Sequence, residues 1–119
     1  MTLKDAITQA DNMRPNAIDD TVKAGFIYQL EGEFAEIMGV PVPENAFDAA
    51  EDDPTLLMPY PKDHCYVYYC AAMIDHYNSD MDLYRNDMEL ANQARADAMA
   101  WWRRHHTPEK CGNWRTMPL

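Results

Sequence analysis

The chain of 119 residues is short of glycine, with 4, and short of positive charge, with 10 Lys and Arg against 20 Asp and Glu. It also has no long apolar run. Few glycines beside 9 methionines and frequent alanine disfavour a sheet of tight turns and favour helices. No stretch approaches the roughly 20 apolar residues of a membrane span, and Met1–Asp11 lacks the apolar core of a secretion signal. Three cysteines, Cys65, Cys70 and Cys111, are odd in number and irregular in spacing, which argues against a disulfide framework and for a reducing, cytoplasmic origin. The formal net charge of −10 makes general nucleic-acid or membrane-surface binding by the body of the chain unfavourable.

The charge is unevenly placed. Residues 1–102 carry 6 Lys/Arg against 19 Asp/Glu, whereas residues 103–119 carry 4 against 1. A basic end on an acidic body points to a second surface with its own partner. At 47% apolar residues the chain has material for one core, and its length suits one domain.

Hydrophobic spacing predicts four helices, an all-α compact bundle. The first, about Thr2–Met13, has Thr2 as N-cap with Asp5 three residues on, an apolar face of Leu3, Ile7, Ala10 and Met13, and a stop at Pro15. The second, about Asp19–Met38, starts on Asp19 and Asp20, which are expected to supply cap and charge. It repeats Val22, Phe26, Ile27, Leu30, Phe34, Ile37 and Met38, places Glu31 and Glu36 on the opposite face, and ends at Gly39. Residues 39–62 form a proline-rich loop with Pro41, Pro43, Pro54, Pro59 and Pro61, an acidic cluster at Glu51–Asp53, and an expected extended piece near Leu56–Met58.

The third helix, about Pro61–Asn78, has Pro61 in its first turn. It is apolar almost without break from Cys65 to Ile74, the pattern of a central helix buried by its neighbours. The fourth, about Ser79–His106, carries Met81, Tyr84, Met88, Ala91, Arg95, Ala98 and Trp102 at alternating steps of 3 and 4. At about 1.5 Å per residue it spans about 40 Å, more than one core layer of so small a domain needs, so part of it is expected to meet another element or another subunit. Residues 1–106 thus read as a helical domain and 107–119 as a C-terminal tail.

Chemistry-bearing constellations are weak. Adjacent His105 and His106 point about 100° apart on a helix and chelate poorly, even with Cys111 nearby. Asp75, His76 and Asp80 lack a nucleophile motif, so a satisfied histidine at a helix junction is the simpler reading. Glu33 and Glu36 share a helix face, but no Glu-x-x-His accompanies them. Cys65 and Cys70 lie about 140° apart around a helix and read as packed thiols. No enzyme, cofactor or metal site is therefore expected. Partner binding is the better role for Trp101, Trp102, Arg103 and Arg104, because two tryptophans at one helix end do not both fit one small core and Trp and Arg are typical of interface hot spots. In the tail, Trp114, Arg115, Met117 and Leu119 combine apolar and basic groups suited to a partner surface.

The order of features resembles the small α-helical head–tail connector (adaptor) proteins of long-tailed bacteriophages. The residues that carry the resemblance are Met13-Arg14-Pro15-Asn16, Gly32-Glu33, Met38-Gly39-Val40-Pro41, Leu57-Met58-Pro59-Tyr60-Pro61, Met73-Ile74-Asp75, Asn86-Asp87-Met88 and Trp101-Trp102-Arg103-Arg104-His105-His106. The stretch 56–106 is the most specific. The resemblance implies a virion structural protein, assembled in the host cytoplasm, that forms a ring, usually twelvefold, beneath the portal protein at the head–tail neck. Such a ring contacts neighbouring copies of itself and a downstream stopper or tail-completion protein. It meets DNA only as passing cargo and no membrane, and residues 107–119 would grip the portal. Other readings are a stopper or other head-completion protein, a small acidic regulatory protein that mimics DNA or inhibits an enzyme, and, least favoured, a small enzyme.

Overall fold

A computed structural model describes residues 1–44 and 52–106. Four helices, α1 (Leu3–Met13), α2 (Asp20–Met38), α3 (His64–Tyr77) and α4 (Met81–His105), make up an all-α globule. The expected C-terminal tail, 107–119, and residues 45–51 of the expected loop lie outside the described residues.

Helix α1 starts on a reciprocal cap: the Asp5 N–H donates to Thr2 Oγ1 and the Thr2 N–H donates to the Asp5 carboxylate, both at 3.2 Å. It ends at Arg14, ahead of Pro15. The turn that follows is built by Asn16, whose amide donates to Asp11 and to the Arg14 carbonyl while its oxygen accepts from the Ile18 N–H. Helix α2 differs from expectation at its start. The Asp19 side chain makes no capping bond, its carbonyl accepts from Val22 and Lys23, and Asp20 turns to the Lys23 ammonium instead. At its other end Gly39 adopts φ 71°, as expected of a glycine that closes a helix, and its N–H returns to Ala35 and Glu36.

The chain re-enters the core by pairing with the N-terminus. Leu3 N–H bonds the Pro54 carbonyl, Leu56 N–H bonds the Met1 carbonyl, and Thr2 and Thr55 form an antiparallel bridge. The extended piece is thus centred slightly earlier than expected, while Leu56 and Met58 are both buried. Pro61 sits in a turn after a cis peptide bond rather than in the first helical turn, and α3 begins only after Asp63.

The uninterrupted apolar run of α3 has the consequence its pattern predicts. This helix packs against α1, α2 and most extensively α4, and buries Cys65, Tyr66, Val67, Cys70, Ala71, Ala72 and Ile74. Ser79 (φ 61°) and Asp80 reverse the chain, and Asp80 caps α4 through the Leu83 N–H. The buried stripe of α4 is Asp87, Ala91, Ala94 and Ala98. Ala91 and Ala98 were expected there. Ala94, expected to broaden the seam, lies in the stripe itself in place of Arg95, and Asp87 takes the inward place expected of Met88, because the small alanines suit close packing on α3 and Asp87 finds a buried cation.

Candidate docking surfaces and buried charge clusters

The C-terminal end of α4 gathers the aromatic residues singled out from the sequence. Trp101 and Trp102 both pack against the core and both remain half-buried, so the small core accepts one edge of each. The histidines complete the end. His105 Nδ1 donates to the Trp101 carbonyl at 2.8 Å and His106 Nδ1 to the Trp102 carbonyl at 2.9 Å. These bonds satisfy carbonyls that a helix end leaves free. The His106 ring also stacks on Trp102 at 4.4 Å with 5° between planes, and His105 lies tilted on Trp101 at 4.9 Å. The pair is thereby occupied as a helix terminus. Arg103 and Arg104 are exposed beside it. Trp114, Arg115, Met117 and Leu119 lie outside the described residues.

A second surface runs along the outer face of α4. Tyr84, Met88 and Ala96 form the apolar floor of a shallow groove edged by Arg85, Glu89, Asn92 and Gln93, and Leu90 stands 45% exposed beside it. The groove starts at Tyr84, whose ring meets His76 of α3, and runs round to the outer side of the long helix. No described element covers it.

Three buried charge groups carry most of the polar structure. In the first, Glu31 is nearly inaccessible, contrary to the solvent face expected of it. Its carboxylate accepts from the Tyr66 hydroxyl and the Leu57 N–H, and the same hydroxyl accepts from the Met58 N–H. Burial raises the Glu31 pKa, and the two donors pull partly against it. The second is Lys23, whose ammonium contacts Asp11 at 2.7 Å, Asp20 at 3.2 Å and Asn16 at 3.3 Å. Burial alone lowers its pKa, but its bonds to Asp11 and Asp20 reverse that and hold it above the ordinary value.

The third group ties three elements together. Arg14, after α1, reaches Asp75 of α3 at 3.2 Å through Nε and Asp87 of α4 at 2.9 Å through Nη2. Both carboxylates are within a few per cent of complete burial. Sequence reasoning tied Asp75 to His76, but the His76 ring faces away, edge-on to Tyr84 at 5.1 Å. The residues Glu33 and Glu36 also separate in role: Glu33 pairs with Arg95 at 2.8 Å, while Glu36 is exposed.

Cys65 and Cys70 are buried free thiols, pushed up to about 12 by burial, and so are packing groups rather than nucleophiles. Among the described residues no three His, Cys, Asp or Glu converge on a metal position, and no helix is long and apolar enough to cross a membrane. Comparison with protein-family models, with curated proteins and with solved structures finds no match for this chain.

Proposed function

We propose that this chain is a virion structural protein, a head–tail adaptor whose copies form a ring under a phage portal and extend the DNA channel. The observation that carries the reading is the uncovered groove of α4 on a strongly acidic helical subunit. A ring subunit needs a lateral surface, and a long helix with an apolar outer stripe flanked by Arg85 and Glu89 is suited to lie against a neighbouring copy. A net charge of −10 repeated around a ring repels the phosphates of passing DNA and lets the duplex slide. The basic end, Arg103 and Arg104 with Lys110 and Arg115 beyond, is suited to a portal surface of opposite sign.

The DNA-mimic reading is less well supported. It needs a regular surface stripe of carboxylates, yet Asp11, Glu31, Asp63, Asp75 and Asp87 are engaged in internal ion pairs or hydrogen bonds.

The test is co-purification with a candidate portal protein, followed by electron-microscopy class averages. A ring stacked coaxially on the portal is expected. Replacing Trp114 and Arg115 with alanine is expected to abolish docking while the circular dichroism spectrum stays helical. Undiminished docking by that double variant would reject the assigned grip. A chain that stays monomeric beside the portal and inhibits a nuclease would reject the adaptor itself.

A further inference from the structure

The Arg14 cluster does not balance as drawn with every group ionised. Two carboxylates face one guanidinium inside the α3–α4 interface. Asp75 Oδ2 and Asp87 Oδ2 are both inaccessible and both lack a hydrogen-bond donor. Asp87 Oδ2 does lie 2.9 Å from Arg14 Nη2, but out of line for a hydrogen bond. Leaving two buried acceptors unpaired is costly, and two neighbouring buried carboxylates resist ionising together. Asp87 lies within side-chain hydrogen-bond reach of Asp75, so a proton on one carboxyl supplies a donor to the other.

We propose that Asp75 and Asp87 share one proton, and that this proton is a pH-sensitive latch holding the N-terminal half of α4 against α3. With it the cluster is neutral: one guanidinium, one carboxylate and one carboxylic acid. Its loss to bulk water leaves the cluster at −1, with the two carboxylates repelling each other across the helix interface.

Among the described residues the ion pairs supply no second cation to this cluster. From the α1–α2 connection Arg14 reaches the pair, and on α1 and α2 Asp11, Asp20 and Lys23 are closed on one another. On α3, His76 turns its ring to Tyr84, and Asp80 gives its backbone N–H to the Asp75 carbonyl. On α4, Arg85 lies outside beside Asp82. Burial first, then the hydrogen bond and charge of Asp87, push the Asp75 carboxyl up to about 7, with Arg14 pulling the other way.

Release is directed to one half of the helix. Asp87 is the first buried residue of α4, and Met81 to Met88 otherwise meet the body through half-buried or exposed side chains. The far half keeps Ala91, Ala94 and Ala98 in the core and the Arg95–Glu33 pair. The outer groove begins at Tyr84 and includes Met88, so it shares the N-terminal half of α4 with Asp87, on the opposite side of the helix. The inference stands on this cluster and not on the adaptor reading.

The sign follows from linkage. A carboxyl whose folded pKa lies above its unfolded one contributes stability that is complete at low pH and is lost as pH rises through the folded value. Carbon-13 titration of the carboxyl groups in the full chain, with Asp75 assigned from the Asp75→Asn spectrum, is expected to show an Asp75 midpoint near pH 7. An Asp75 midpoint below about pH 5 would overturn the shared proton. Hydrogen exchange at about pH 6 and about pH 8, corrected for intrinsic rates, is expected to show residues 82–90 losing about tenfold protection while 94–102 hold theirs. Asp75→Asn, which supplies a permanent donor, is expected to remove that dependence. Unchanged protection of 82–90 in the wild type, with Asp75 titrating near 7, would overturn the latch. Should the Asn variant not fold, both wild-type measurements still decide.

Discussion

Glu31 illustrates what a single buried carboxylate organises. Its two oxygens take the Tyr66 hydroxyl from α3 and the Leu57 N–H from the re-entering chain, so one side chain of α2 fixes two other segments. Tyr66→Phe would remove the donor to Glu31 and the acceptor for the Met58 N–H together. It is expected to cost about 2–4 kcal/mol in urea unfolding, since two buried groups lose their partner. The sequence held a signal for this residue. Glu31 lies four residues after Ile27 and three before Phe34, on the buried face and not opposite it. Charge alone led to the wrong side, because reading polarity as exposure ignores a partner that arrives from elsewhere in the chain. Lys23 and Asp87 were hidden in the same way: each sits at core spacing and is tolerated there through opposite charges, Lys23 with Asp11 of α1 and Asp20 of its own helix, Asp87 with Arg14.

The elements were more legible than their charged residues. The Thr2 cap, the stop before Pro15, the Gly39 terminus and the central place of α3 all follow from local rules, and the structure has each of them. Local rules failed where long-range contacts decide. Pro61 suits a helix start by its ring geometry, yet Asp63 meets the Met1 ammonium at 2.8 Å and α3 begins beyond it. The seam of α4 was rotated because spacing marks a stripe only to within a neighbouring position, and Arg14 selected Asp87 as the inward one. Gly39 gives a clean test at this scale. An added Cβ there would meet no atom within 4 Å, so Gly39→Ala exposes the conformational cost of φ 71° alone. A loss of about 1 kcal/mol in thermal unfolding is expected, with helix content unchanged.

At the scale of the molecule, Arg14 matters more than its place in a short connection suggests. Arg14→Met would leave Asp75 and Asp87 buried without their cation and is expected to destabilise the fold by about 3–5 kcal/mol near neutral pH, measured by denaturant unfolding. The loss should shrink in acid, where Asp75, already raised by burial, is protonated and needs no cation. What the whole chain does is a proposal that rests on the sequence and on one surface of the fold. Acidic charge, a helix longer than its core and a basic aromatic end all point to assembly with other proteins. The described structure adds the groove of α4 but not the tail residues Trp114, Arg115, Met117 and Leu119, on which the proposed grip depends.

Three of the four described ion pairs that join the two halves of the chain have a common spacing, the exception being Arg14–Asp87. Met1 meets Asp63, Arg14 meets Asp75 and Glu33 meets Arg95, across 62, 61 and 62 positions. In folding kinetics this means that the three contacts close loops of nearly equal size. The entropy of closing the first is large, but once it forms the ends of the other two are already near each other, and each later closure spans a far shorter free segment. Closing the first of the three therefore brings the α1–α2 half and the α3–α4 half together in a single register. The transition state is then expected to lie at that one docking event, not at the formation of any helix.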